Sequence, residues 1–268
     1  MRHTSSKSIG NYGLLFAAAS KNQVNLLKKL AKTGLDINHG NSYSETPIMI
    51  AAKNGCLESL KFLIDLGARI DAVNIEDETV LFYACMNSSN CEVLEYLLLK
   101  GADINHKNRL GRTCLMELAA LGYFENVTAL LKYSPDIEAF THEEESALTF
   151  AIVWDHIKIV EALIDAGANS NRADKSGWTP LTYAVYEGKR DIVRLLLEKG
   201  ADPNKTDNNG ETILMYAVNS KDEFSVFEIA RKVSNINQAN KQNKTALDYA
   251  KEKGDERIID ILIQLGAT

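Results

Sequence analysis

Four cysteines, Cys56, Cys85, Cys91 and Cys114, and five histidines, His3, His39, His106, His142 and His156, are the side chains best suited to nucleophilic or metal chemistry. A thiolate needs a base beside it, and zinc needs ligands at close spacing such as C-x-x-C. Neither pattern is present: the histidines stand singly, and the cysteines are too sparse for a disulfide framework, so they read as reduced, packed thiols. The acidic runs Glu76-Asp77-Glu78 and Glu143-Glu144-Glu145 lack the Asp/Asn/Gly loop that calcium requires and read as solvated turns. No phosphate loop, dinucleotide fingerprint, G-x-S-x-G elbow or H-E-x-x-H pair occurs. Asn-x-Ser/Thr triplets at Asn87, Asn126, Asn204 and Asn243 have no meaning without a signal peptide. The expectation is therefore a chain with no catalytic residue, no metal and no cofactor.

Composition narrows the partner class. At 268 residues, 45% hydrophobic and 25% charged, the chain is long enough for a sizeable core. A formal charge of −6 opposes nucleic acid or an anionic membrane as partner, since both are held by clustered Lys and Arg. Residues Met1 to Ser20 imitate a secretion signal, but the apolar run Leu14 to Ala19 before Ser20 is shorter than the roughly 7 to 15 residues of a real apolar segment. It also falls in the register described next. The location expected is cytoplasmic, with export into another cell by a non-classical route left open.

Whatever these residues do, an internal repeat positions them. A Thr or Ser followed two residues later by an aliphatic residue recurs at Thr46, Thr79, Thr113, Ser146, Thr179, Thr212 and Thr245, in steps of 33 or 34 residues, with a degraded version at Gly13. The ends recur in phase as Gly34-Leu35-Asp36-Ile37-Asn38, Gly67-Ala68-Arg69-Ile70-Asp71, Gly101-Ala102-Asp103-Ile104-Asn105, Gly167-Ala168-Asn169-Ser170-Asn171 and Gly200-Ala201-Asp202-Pro203-Asn204. Thr at the anchor is a helix N-cap, and Pro after it suits the first helical turn. Apolar residues at helical spacing, such as Ile159, Val160, Leu163 and Ile164, mark a second helix. The closing Gly stops that helix, and an Asp/Asn-x-x-Gly run makes a tight turn into the next anchor. One such module cannot bury its apolar face alone, so stacked copies must.

These residues resemble the ankyrin repeat family: a T-P-L-x-x-A-A opening, a G-x-x-x-I-V-x-x-L-L middle and a G-A-D-x-N ending, nearest in Asp174 to Asn204. The resemblance implies an all-α repeat fold, a solenoid of L-shaped, right-angled helix-turn-helix modules with short β-hairpin tips. It places a tail at residues 1–9 and a single domain at 10–268, with modules beginning near 8, 41, 74, 108, 141, 174, 207 and 240, the first and last acting as polar caps. The family's His in T-P-L-H is replaced by Met49, Phe82, Met116, Thr149, Thr182, Met215 and Asp248. Hydroxyls can restore the lost hydrogen bond; Met and Phe are expected not to. An extra residue falls near Asn87-Ser88-Ser89-Asn90. The fourth module's end and the turn after it lack their glycines, as does the seventh module's end at Val233-Ser234, so these joints are expected to be the weakest.

The resemblance also implies that a protein partner is held by the hairpin tips and the exposed side of each first helix, with no small-molecule substrate and a monomeric chain. Those positions are the variable ones. Arg109, Leu110 and Arg112 lie on one tip, Glu143 and Glu145 on the next, Lys175 and Trp178 on the one after, and Trp154, Tyr186 and Glu187 on first helices. Both tryptophans and Tyr186 fall there, and buried Trp, Tyr and Arg dominate interfaces. The arginines between acidic tips favour one partner register. Packing of one hairpin on another is the competing role for Trp178. Masking, scaffolding or inhibiting an enzyme partner are the functions in view, against the rival of an active site hidden in the scaffold.

Overall fold

A computed structural model describes residues 6–87 and 91–268, which form two compact bodies, Met1–Ala139 and Phe140–Thr268. Among the described residues there are sixteen helices and, apart from three isolated bridges at hairpin necks, no strands. The first body contains α1 (Ser6–Ser20), α2 (Val24–Ala31), α3 (Pro47–Lys53), α4 (Leu57–Asp65), α5 (Val80–Cys85), α6 (Cys91–Leu99), α7 (Cys114–Leu121) and α8 (Phe124–Leu131). The second contains α9 (Ala147–Val153), α10 (Ile157–Asp165), α11 (Pro180–Tyr186), α12 (Arg190–Glu198), α13 (Ile213–Asn219), α14 (Glu223–Ala230), α15 (Ala246–Lys253) and α16 (Glu256–Gln264). In each body the odd-numbered helices pack in one row and the even-numbered ones in a second row behind it.

The anchors do what their chemistry predicts. Each of Thr46, Thr79, Thr113, Ser146, Thr179, Thr212 and Thr245 is an N-cap with extended backbone, ψ between 158° and 174°. Pro47 and Pro180 open their helices, where the missing N–H has no partner to lose. Gly13 is different: it lies inside α1, which runs unbroken from Ser6, because Gly offers no capping oxygen there. Residues 1–5 of the expected tail lie outside the described residues, and residues 6–9 are already helical. The extra residue in the third module also falls outside them, at Ser88 to Asn90.

One expectation is overturned at these caps. Methionine does replace the lost bond: the amides of Thr46, Thr113 and Thr212 point at the sulfurs of Met49, Met116 and Met215 at 3.3, 3.5 and 3.3 Å. A thioether is a weak acceptor, but its unbranched stem lets it swing onto the amide. Asp248 takes the Thr245 amide at 2.8 Å and Thr182 the Thr179 amide at 3.3 Å. Phe82 offers no acceptor, and the Thr79 hydroxyl beside it is buried without a partner among the described residues.

Neighbouring modules are tied by amide side chains. The last Asn of an ending accepts a backbone N–H from the next module's ending: Asn38 from Arg69 at 2.8 Å, Asn105 from Asp136 at 2.8 Å, Asn171 from Asp202 at 2.7 Å and Asn204 from Ser234 at 2.7 Å. At every tip but that at residues 141–145 an Asx oxygen accepts two backbone N–H groups, as Asp174 does from Ser176 and Trp178, both at 2.8 Å. A tip residue then turns left-handed. Gly177 does so at φ 86°, and a Cβ there would meet the Asn208 amide at 2.8 Å, so glycine is needed for the hairpins to touch.

The tip at residues 141–145 departs at its Asx position and carries a glutamate at the left-handed one. Thr141 replaces the Asx and holds its two amides at 3.3 and 3.2 Å, while Glu144 adopts φ 65°. Ser134, at the fourth closing position, is likewise left-handed at φ 52°. Val233 is not left-handed; its amide returns to Ile229 at 3.1 Å, and the helix closes without the glycine geometry. The double variant Thr141→Asn/Glu144→Gly should therefore stabilise the protein by about 1 kcal/mol, because the left-handed cost and the weak turn bonds are both removed. A raised urea midpoint is the check; an unchanged or lowered one contradicts it.

Candidate interaction surface

Tyrosine recurs four residues after the anchor at Tyr83, Tyr183, Tyr216 and Tyr249 of the first helices, Tyr83 buried and the other three half-buried. Each hydroxyl reaches back to the Asx residue of its own hairpin: Tyr83 receives an N–H from Asn74 at 2.9 Å, Tyr183 donates to Asp174 at 2.7 Å, Tyr216 donates to Asp207 at 3.0 Å and Tyr249 receives from Asn240 at 3.2 Å. Three of the same oxygens also bond to the residue just before the preceding anchor. Tyr83 donates to Glu45 at 2.8 Å, Tyr249 donates to Glu211 at 2.8 Å, and Tyr216 accepts the indole N–H of Trp178 at 3.0 Å. Helix, hairpin and neighbouring module are thereby tied together.

Around Trp178 this ladder becomes an aromatic cluster. Its ring centroid lies 5.2 Å from Tyr183, 4.9 Å from Tyr186 and 5.0 Å from Tyr216, in edge-on or tilted arrangements that suit the ring quadrupoles. Trp178 is half-buried, whereas Tyr186 is 54% exposed. Glu187 follows on the rim, exposed and without a side-chain partner among the described residues. Trp154, the C-cap of α9, is 61% exposed and has no ring partner among the described residues. Lys175 extends from the hairpin to the carbonyl of His142 at 2.8 Å. Glu143 is exposed at its tip and Glu145 half-buried beside Thr141 at 3.4 Å.

In the first body, Arg109 and Leu110 project from their tip, Leu110 being 61% exposed, while the Arg109 amide donates to the Glu76 carbonyl at 3.0 Å. Arg112 is half-buried, and its guanidinium pairs with Glu117 of α7 at 3.3 Å. That pair gives Arg112 a structural role. Trp178 has one as well, which the position before an anchor suggests; Tyr183 and Tyr216 escaped sequence reasoning, although their spacing repeats.

Burial raises the phenol pKa of all four ladder tyrosines, and hydrogen bonding to carboxylates adds to it at Tyr83, Tyr183, Tyr216 and Tyr249; Tyr216 is pushed up to about 12. Folded values above the free value of 10.0 mean that the protonated phenols stabilise the fold fully below pH 10. This contribution is lost as pH climbs towards 12. The expected result is a urea midpoint that falls between pH 10 and 12, and falls less in Tyr216→Phe; an equal decline in both would deny the ladder its role.

No group of three or more His, Cys, Asp or Glu among the described residues could hold a metal ion, and no described helix is long and apolar enough to cross a membrane.

Comparison with known proteins agrees with this geometry. The family model for ankyrin repeats in three copies matches residues 14–108, 81–174, 115–207 and 199–268. An ankyrin repeat protein of Acanthamoeba polyphaga mimivirus is 33% identical over 172 residues, 60% of this chain and 22% of the relative. An L-asparaginase of Dirofilaria immitis is 28% identical over 170 residues, 63% of this chain. The chain spans only 22% and 28% of the lengths of these two proteins. The crystal structure of the ankyrin repeat domain of Bcl-3 superimposes with a TM-score of 0.76 at 28% identity, covering 82% of this chain and 98% of that one. Ankyrin repeats are in general protein–protein interaction modules and typically non-catalytic. With its anchors, hairpins and endings in place over nearly its whole length, this chain belongs to the ankyrin repeat family.

Proposed function

We propose that the protein is a non-catalytic binding module that holds a protein partner against hairpin tips and first helices, and so masks, scaffolds or inhibits it. The observation that supports this reading most is the aromatic surface of the second body: Tyr186 and Trp154 stand more than half exposed at variable positions, and Tyr186 is braced by the half-buried Trp178. Such rings gain interface area at little ordering cost because the scaffold already holds them. Arg109 and Leu110 are a second contact point, on the first body. The four free cysteines fit a reducing, cytoplasmic setting.

Alanine at Tyr186 or Trp154 should weaken partner binding by about 30-fold, the effect of losing an interface anchor of 2 kcal/mol. Both are surface positions, so the melting temperature should move little. Trp178→Ala differs: it breaks the bond to Tyr216 and the ring contacts, and should lower both binding and stability. Affinity retained in Tyr186→Ala and Trp154→Ala alike would move the partner elsewhere.

A further inference from the structure

The aromatic cluster of the second body carries an electrostatic sign. Asp174 and Asp207 accept hydrogen bonds from Tyr183 and Tyr216 at 2.7 and 3.0 Å. The charges acting on these two phenols belong to carboxylates, Asp174 and Glu145 at Tyr183, Asp207 and Glu211 at Tyr216. On the rim the Glu187 carboxylate is exposed with no partner among the described residues. The lysines of these hairpins are turned to other groups, Lys175 to the His142 carbonyl at 2.8 Å, Lys241 to the Asn208 carbonyl at 2.7 Å and Lys244 to Glu252 at 2.7 Å. Ring faces are themselves negative, so rings and carboxylates together favour a cation.

We infer that this patch is the seat of an arginine in a basic segment of the protein partner, its guanidinium lying on Tyr186 and the exposed part of Trp178 while Glu187 and Glu145 face the segment's charge. This deepens the function proposed above and rests on it. Arginine fits better than lysine, since its planar, weakly hydrated guanidinium can stack on a ring and still donate to a carboxylate. An acidic segment would meet the carboxylates and be repelled.

The test uses the full chain with nitrogen-15 in its two indoles, told apart with Trp154→Phe, and four capped probe peptides of equal length: Gly-Arg-Gly-Arg-Gly and its Lys, Leu and Glu counterparts. The arginine peptide should move the Trp178 indole resonance saturably, bind more tightly than the lysine peptide, and weaken as salt is raised. Glu145→Gln/Glu187→Gln should weaken it about 5-fold, as expected for two partly exposed ion pairs, with an unchanged circular dichroism spectrum showing that the variant is folded. No movement of Trp178 with the arginine peptide overturns the inference. So does equal, salt-insensitive binding of the leucine peptide, although that outcome keeps the patch as a docking face and assigns it an apolar partner.

Discussion

Phe82→Ala should cost the folded protein about 3–5 kcal/mol, the range for truncating a fully buried phenylalanine. The ring is 1% exposed, among the largest fully buried side chains, and meets His106 edge-on at 6.3 Å. It occupies the position where other modules place a capping acceptor, so the cavity would open next to the unpartnered Thr79 hydroxyl. Phe82→Met is the informative companion. It refills most of the space and can offer its sulfur to the Thr79 amide as Met49, Met116 and Met215 do for theirs, so it should lose less than about 1.5 kcal/mol. Urea unfolding of the two variants beside the wild type reads both values. A loss below 1 kcal/mol for the alanine variant would mean that the surrounding helices collapse into the space.

Asp222→Ala should be the second large loss, about 2–3 kcal/mol, because one carboxylate does three things. It caps α14 by accepting the Ser225 amide at 3.3 Å, it accepts the Ser225 hydroxyl, and it takes the Arg190 guanidinium at 2.8 Å while itself only 7% exposed. Truncation leaves the buried Ser225 hydroxyl and the first turn of α14 without an acceptor. Asp222→Asn keeps an oxygen for the cap and loses the charge, so it should fall between wild type and alanine. If Asp222→Asn were as stable as the wild type, the ion pair to Arg190, whose side chain is 62% exposed, would contribute nothing.

Much of this was legible in the sequence, for a reason specific to repeats. Anchors, proline openings, closing glycines and Asx turns are local devices, each readable within a few residues, and the 33-residue recurrence multiplies every weak signal. The misreadings share a different origin. Gly13 in register suggested a helix start, yet helix continuity from Ser6 won because nothing there caps a chain end. The methionine caps depend on where a flexible thioether swings, which residue type does not reveal.

The candidate surface was legible in the same proportion. Trp178, Tyr186 and Trp154 were visible as aromatics in variable places. Tyr183 and Tyr216 were not, because their role depends on partners 9 and 38 residues away that meet only once hairpins stack. The Arg112 pair with Glu117 likewise crosses a helix cap, where no simple spacing rule applies.

Site-specific photo-cross-linking tests the central claim most directly. A photoreactive phenylalanine analogue placed at Tyr186 or Trp154 should join the chain to a discrete protein partner in cell extract, while the same group at Ile263, equally exposed at 52% on a second-row helix, should not. Cross-links from Ile263 alone, with none from Tyr186 or Trp154, would contradict the account and put the partner on the opposite row.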